Sequence, residues 1–170
     1  MRLVLASGNA GKLAEIREIL DGMDLVAQSD LGIADAEETG LTFIENALIK
    51  ARHASLESGL PALGDDSGIC VDALDGAPGL LSARYAGEHG NSSANITKLL
   101  DALRDVPDAK RTAHFHCSIV LLRSADDPAP LIAEGRWPGT ILHTPRGDHG
   151  FGYDPIFLPS DGGGLSAAEL

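Results

Sequence analysis

Four groups of polar residues in this sequence have types and spacings suited to chemistry on phosphates. The first is a run of small residues that ends in a lysine: Ser7, Gly8, Asn9, Ala10, Gly11 and Lys12. Backbone N–H groups at the start of a helix bind anions, and Lys12 would add a positive charge. The run is not a P-loop, because Ala6 and Leu13 stand where that motif needs Gly and Ser or Thr. We therefore predict a phosphate-binding loop, the alternative being a tight turn that happens to end in lysine.

The second group is a pair of adjacent carboxylates, Asp65 and Asp66, followed by Ser67 and Gly68. Carboxylate oxygens are suitable ligands for a hard cation, and one of the two can also orient a water molecule for attack. The sequence pattern predicts a strand that ends in this pair, a tight turn, and a second strand from Ile69 to Val71. The alternative is a turn whose acids are solvated.

The third group surrounds the start of the second predicted helix. Thr42 and Glu45 have the spacing of a capping box, which gives Glu45 a structural role and removes it from the candidate metal ligands. Glu38 has no such role, and its place just before the helix suits a metal ligand. Lys50 lies further along the helix and could contact phosphates, although a surface lysine with its stem along the helix fits equally well.

The fourth group is an aromatic and glycine-containing segment: Phe151, Gly152, Tyr153 and Asp154. A flat aromatic ring beside a glycine lets a nucleotide base approach and stack, and Pro155 holds Asp154 extended. A pair of core aromatic residues at the start of a strand would produce the same pattern.

The elements that must position these groups follow from hydrophobic periodicity and from capping residues. We predict strands over 2–6, 111–123 and 131–137, with a short one over 141–143. We predict helices over 13–20, from Thr42 to Gly59, and from Asn91 to Val106. A strand, a loop of small residues and a helix are the usual beginning of an α/β domain.

Composition restricts the classes of function. A length of 170 residues fits one domain. The formal net charge of −12 argues against a nucleic-acid polymer as partner, since such binding needs a basic surface. No apolar run approaches the roughly 20 residues that span a bilayer, and the apolar stretch between Arg2 and Ser7 is too short for a signal-peptide core. We therefore expect a cytoplasmic protein with no membrane partner.

Five motifs together give the sequence a family resemblance: SGNAGK, TFIENALIKA, DDSGICVDAL, PGLLSARYAG and FGYDPIF. In this order they resemble the inosine/xanthosine triphosphate pyrophosphatases. The resemblance implies an α/β fold, with an elongated mixed β-sheet, flanking helices, and two lobes around a central cleft. It implies that residues 1–170 form a single pyrophosphatase domain, usually found as a homodimer. The implied reaction is Mg2+-dependent hydrolysis of ITP, dITP or XTP to the monophosphate and pyrophosphate.

The resemblance also implies a role for each motif residue. The segment Ser7–Lys12 and Lys50 would bind the phosphates, and Ser67 would contact substrate. Asp66 would be the general base and a metal ligand, with Glu38 and Asp65 as the other metal ligands. The segment Phe151–Asp154 would line the base pocket, with Phe151 stacked on the purine.

Two alternatives and one departure accompany the resemblance. The protein could bind nucleotides as a regulator without catalysis, or act as a pyrophosphatase for modified pyrimidine nucleotides. The family pattern continues with a Lys and a Ser-His-Arg motif that contacts the base and phosphates, and the sequence ends at Leu170, before that region. We therefore expect base selectivity to depend on that family motif as well as on the segment Phe151–Asp154.

Overall fold

The strands and helices that carry the polar groups are known from a computed structural model, which describes residues 2–170. Its strands are β1 (Arg2–Ala6), β2 (Asp24–Ala27), β3 (Ala62–Val71), β4 (Thr112–Leu122), β5 (Leu131–Ile141) and β6 (Phe157–Pro159). Its α-helices are α1 (Ala10–Ile19), α2 (Phe43–Ser58) and α3 (Ser92–Ala102).

The six strands form one mixed sheet in the order β2-β1-β3-β4-β5-β6. Strand β1 pairs in parallel with both β2 and β3, whereas β5 and β6 are antiparallel. This mixed sheet with its helices confirms the predicted α/β class. None of the helices within residues 2–170 is long and apolar enough to cross a bilayer.

The chain divides into two compact units. The first contains the chain up to Asp66 together with Cys117–Glu134, and the second contains Ser67–His116 and Gly135–Leu170. The first unit carries β1, β2, α1 and α2, with the predicted phosphate loop and both aspartates. The second unit carries α3 and β6, with the Phe151–Asp154 segment.

Helix α1 begins earlier than the sequence predicted. The segment 10–12 was expected to be loop, but it forms the first turn of the helix. The cause is Asn9, whose side-chain oxygen accepts a hydrogen bond from the backbone N–H of Lys12 at 3.1 Å and so caps the helix. The backbone N–H groups of Ala10 and Gly11 are consequently at a helix N-terminus, where anions are favoured.

Helix α2 has the predicted bounds because both of its ends are capped. The Glu45 N–H donates to the Thr42 hydroxyl, and the Glu45 carboxylate accepts from the Leu41 N–H at 2.8 Å and from the Thr42 hydroxyl at 3.0 Å. Gly59 ends the helix in the left-handed conformation, with φ of 68°. The capping box is confirmed, and the Glu45 carboxylate is occupied by it.

Strand β3 corrects the prediction of a turn after the aspartate pair. Asp65, Asp66, Ser67 and Gly68 all lie within one continuous strand. Their composition suggested a turn because Asp, Ser and Gly are frequent turn residues. Strand β3 lies between β1 and β4 in the sheet. Both aspartate side chains have hydrogen-bond partners on the helices, Lys12 on α1 and Asn46 on α2, so the chain stays extended.

Two elements that lie wholly or partly in the second unit differ from the prediction. Helix α3 ends at Ala102 rather than Val106, and Asn91, where the helix was predicted to begin, is its N-cap. Strand β5 runs unbroken from Leu131 to Ile141, whereas the prediction ended it at 137 and placed a separate short strand over 141–143. The core of this unit contains Leu99 and Leu103 from the apolar face of the third helical segment, both fully buried.

The close contact between α2 and β3 in the first unit gives a test of the packing. The fully buried Ala47 and Ala51 of α2 lie directly against Gly64. A Cβ on Gly64 would come within 2.8 Å of the Ala51 nitrogen and closer still to the Ala47 carbonyl oxygen. We therefore expect Gly64→Ala to lower the free energy of unfolding by about 1–3 kcal/mol, measured by urea denaturation.

Gly135→Ala is the matched control, because Gly135 is also a strand glycine but a Cβ there would meet no atom within 4 Å. We expect this variant to unfold at the same urea concentration as the unchanged protein. Equal effects of the two substitutions would contradict the close approach of α2 to β3.

Candidate active site

Asp66 is the centre of the polar cluster in the first unit. Asp66 is only 7% exposed, and its side chain projects from β3 toward α2. One carboxylate oxygen accepts a hydrogen bond from the Asn46 amide at 3.1 Å, and the other lies 3.4 Å from the Lys50 ammonium. The carboxylate is therefore held in one orientation by two groups from successive turns of α2.

Asn46 is a site residue that the sequence analysis did not identify. Its side chain is buried, and while its amide nitrogen donates to Asp66, its amide oxygen accepts from the Gly40 N–H at 2.8 Å. It thus connects the acidic loop that carries Glu38 with the strand that carries Asp66. In the sequence, nothing distinguishes Asn46 from a solvated polar residue of the predicted helix.

Lys50 connects two of the predicted metal ligands. Its ammonium lies 3.1 Å from Glu38 and 3.4 Å from Asp66, and its side chain is only 14% exposed. Burial by itself would lower the pKa of Lys50, but the negative charges of Asp66, Asp65 and Glu38 outweigh it and raise that pKa. The lysine is therefore a charged, partly buried group, and the alternative of a surface lysine is wrong.

The pKa of Asp66 is raised above its ordinary value. Burial is the largest cause, and the nearby Glu38 adds to it, while Lys50, the Asn46 hydrogen bond and Lys12 act in the opposite direction. A carboxylate with a raised pKa is a stronger base than a solvated one. The environment of Asp66 thus suits the predicted role of proton acceptor.

The predicted phosphate loop is held partly by its own side chains. The Asn9 N–H lies 3.3 Å from the Ser7 hydroxyl, and Asn9 in turn caps α1. Lys12 extends to β3, where its ammonium lies 2.5 Å from the Asp65 carboxylate. Gly8 borders the carboxylate of Asp35, which would contact a Cβ at that position.

The three predicted metal ligands do not converge on one point. Among residues 2–170, no three Asp, Glu, His or Cys side chains lie close enough together to hold a metal ion. Glu38 and Asp66 both contact the Lys50 ammonium, so these two face a common cation. The Asp65 side chain points away from this cation, because neighbouring residues of a strand project to opposite faces of the sheet.

The Phe151–Asp154 segment lies in the second unit, where it borders a cavity of about 630 Å3. Phe151 and Gly152 line this cavity together with Ile96 and Leu100 of α3, and Phe151 is 37% exposed. The volume falls in the range of small-molecule sites. An exposed aromatic ring at this position is consistent with the predicted stacking on a base.

The other two residues of this segment have structural contacts. Tyr153 is 4% exposed, and its hydroxyl donates to the Ser82 carbonyl at 2.8 Å, so its ring belongs to the core and does not line the cavity. Asp154 accepts a hydrogen bond from the Phe151 N–H at 2.8 Å and shapes the turn. Ser67, predicted to contact substrate, is half-buried on β3 immediately after Asp66.

The first unit has two buried strand carboxylates, each paired with a lysine, and a capped helix N-terminus. The second unit has a cavity bordered by an exposed aromatic ring. Each is a feature expected of an α/β protein that processes nucleotides. The chain belongs to the Ham1 family, whose pattern it matches over residues 3–170.

Individual relatives are similar over almost the whole chain. A protein named dITP/XTP pyrophosphatase from Xanthomonas axonopodis pv. citri is 64% identical over 171 residues, which cover 99% of this chain and 85% of the relative. A HAM1 protein structure from Coxiella burnetii is 49% identical with a TM-score of 0.89, covering all of this chain and 87% of that one. A nucleoside-triphosphatase / dITP/XTP pyrophosphatase structure from Mycobacterium abscessus is 45% identical with a TM-score of 0.82, covering 100% and 89%.

The raised pKa of Asp66 predicts how stability depends on pH. In the interval above 3.8, its ordinary pKa, the folded protein holds the proton longer than the unfolded chain does. The contribution of Asp66 to the free energy of unfolding therefore falls as the pH rises through this interval, and Asp66→Asn removes that contribution. We expect the stability of Asp66→Asn relative to the unchanged protein to increase from about pH 3.5 to about pH 6.5, measured by urea unfolding.

Asp101→Asn serves as a surface control, since Asp101 lies exposed beside Arg104 on α3. A relative stability of Asp66→Asn that stayed constant or fell as the pH rose would contradict the assigned effect of burial.

Proposed function

We propose that this protein is a Mg2+-dependent pyrophosphatase that hydrolyses the nonstandard purine nucleoside triphosphates ITP, dITP and XTP to the monophosphate and pyrophosphate. The observation that carries the chemistry is the buried Asp66 carboxylate, oriented by Asn46 and Lys50. The substrate class follows from relatives named dITP/XTP pyrophosphatase, such as the one that is 64% identical over 99% of this chain.

Glu38 and Asp66 are the residues that would hold Mg2+. The fit is supported by their chemistry and by their shared contact with the Lys50 ammonium, since both carboxylates face the same cationic group. Mg2+ is usually bound through one or two carboxylates together with substrate phosphates and water, so a third protein carboxylate is not needed. When bound, the ion would neutralise phosphate charge and lower the pKa of its water.

The protein's own groups account for the rest of the proposed reaction. A triphosphate carries about four negative charges, and the Lys12 and Lys50 ammonium groups offset part of them where charge redistributes in the transition state. The backbone N–H groups at the start of α1 would bind phosphate oxygens. Asp66 accepts the proton of the attacking water as the new P–O bond forms, and the anhydride bond breaks to release pyrophosphate.

Selectivity for the base is proposed to reside in the Phe151 segment. Inosine and xanthosine carry an oxo group at C6, where adenine carries an amino group. Hydrogen-bond donors aimed at that oxo group would be left unpaired by adenine, which discriminates strongly. Guanine shares the oxo group, so the pocket would have to reject it at C2 by its shape or polarity. Phe151 would supply stacking, since its ring is exposed at the cavity wall.

The two alternative functions differ in what they require of Asp66. A regulator that binds nucleotides without catalysis has no need for a buried, oriented carboxylate, whose isolation from water is unfavourable. A pyrophosphatase for modified pyrimidines would use the same carboxylate chemistry but prefer a smaller base.

We further propose that the enzyme acts as a homodimer in the cytoplasm, as the family resemblance implies.

The substrate proposal is tested by pyrophosphate release from five triphosphates. We expect Mg2+-dependent release from ITP, dITP and XTP at rates at least about 100-fold above those from ATP and GTP, and none in excess EDTA. Equal rates on all five would contradict the proposed selectivity. Nucleotide binding without release at any Mg2+ concentration would support the regulator, and preference for a modified pyrimidine triphosphate would support the other alternative.

The role of Asp66 is tested by Asp66→Asn. This variant keeps the shape of the side chain and removes the proton acceptor, so we expect kcat to fall by about 100-fold or more with the fold retained by circular dichroism. Asp101→Asn, the same change at the surface, is expected to leave kcat unaltered. Near-normal turnover of Asp66→Asn would exclude Asp66 as the general base.

A further inference from the structure

The two adjacent aspartates of β3 belong to different faces of the sheet. Ala62 packs in a cluster with Ala54 of α2, and Gly64 contacts Ala51 of the same helix. Leu63 instead packs in a cluster with Leu13 of α1. Since side chains alternate along a strand, Asp66 continues the α2 face and Asp65 continues the α1 face.

The partners of the two carboxylates agree with this alternation. Asp66 contacts Asn46 and Lys50, which are both on α2. Asp65 contacts Lys12, which is on the first turn of α1. Each aspartate thus has its own lysine, supplied by the helix on its own face.

The Lys12–Asp65 pair is short and largely shielded from water. The ammonium and the carboxylate lie 2.5 Å apart, and the two side chains are 18% and 5% exposed. An ammonium group has three N–H donors, so a single contact with Asp65 leaves others for phosphate oxygens. The pair therefore fixes where the charge of Lys12 lies without consuming its capacity to bind an anion.

We propose that Asp65 is a positioning residue that holds the Lys12 ammonium at the phosphate-binding loop, and that it is not a ligand of the divalent cation. This inference rests on the proposed function and replaces the expectation that Asp65 completes the metal site. The two aspartates therefore have different roles. Asp66 acts on the water and the cation, whereas Asp65 acts only by positioning Lys12.

The proposal predicts a specific kinetic pattern for Asp65→Asn. The lysine keeps its charge but loses its fixed position, so we expect kcat for ITP to fall roughly 10- to 100-fold while KM changes less than about threefold. In the Lys12→Met background, where there is no ammonium left to position, Asp65→Asn should reduce kcat by less than about twofold further.

Two readouts do not depend on turnover. Binding of Mn2+ alone, followed by electron paramagnetic resonance, should have the same Kd in Asp65→Asn as in the unchanged protein. Lys12→Met leaves a buried carboxylate without its partner and should lower Tm, and adding Asp65→Asn should restore part of that loss. Asp127→Asn is the matched control, because Asp127 is also a buried carboxylate, paired with Arg123 at 2.6 Å in the turn after β4.

The outcomes separate the two claims. A Kd for Mn2+ that rises tenfold in Asp65→Asn, kcat losses that multiply with those of Lys12→Met, or an equal kcat loss in Asp127→Asn would each overturn the role of Asp65. An unchanged protein that releases no pyrophosphate from ITP, dITP or XTP would instead overturn the proposed function. In that case the Mn2+ and Tm measurements still decide whether Asp65 serves the lysine or the cation.

Discussion

The alternation of side chains along β3 is the constraint on which the rest of the site depends. A strand cannot direct two consecutive residues to the same face, so an Asp-Asp sequence must serve two environments. Those environments are supplied by α1 on one face and α2 on the other, each with a lysine placed to meet its aspartate. The pair would be a cluster of uncompensated buried charge if either helix were absent.

The position of α2 depends in turn on small residues. Ala47, Ala51 and Gly64 allow the helix backbone to approach β3 so closely that a single added Cβ would collide with it. This closeness brings the short Asn46 side chain within hydrogen-bond distance of Asp66. The capping box at Thr42 fixes where the helix begins, and therefore which of its residues face the strand.

The sequence predicted local structure where the signal is local. The bounds of α2 follow from capping chemistry between residues three or four positions apart, and they were correct. The turn expected after Asp66 was wrong because a central strand with partnered carboxylates is decided by residues far along the chain, such as Lys12 and Lys50. Asn46 could not be identified for the same reason, since only the folded chain brings Gly40 and Asp66 to its amide.

Tyr153 shows the converse: its motif suggests a ligand contact, whereas its hydroxyl donates a hydrogen bond to the backbone carbonyl of Ser82.

The Lys50 ammonium occupies the position that Glu38 and Asp66 share. Its ammonium is a counterion covalently attached to the chain, and it offsets part of the negative charge of both carboxylates. Under the proposed function, a Mg2+ ion that arrived with the triphosphate would share these two carboxylates with the lysine and would not enter a bare acidic cluster. In a protein of net charge −12, one ammonium between two carboxylates halves the negative charge that an approaching triphosphate would meet at this point.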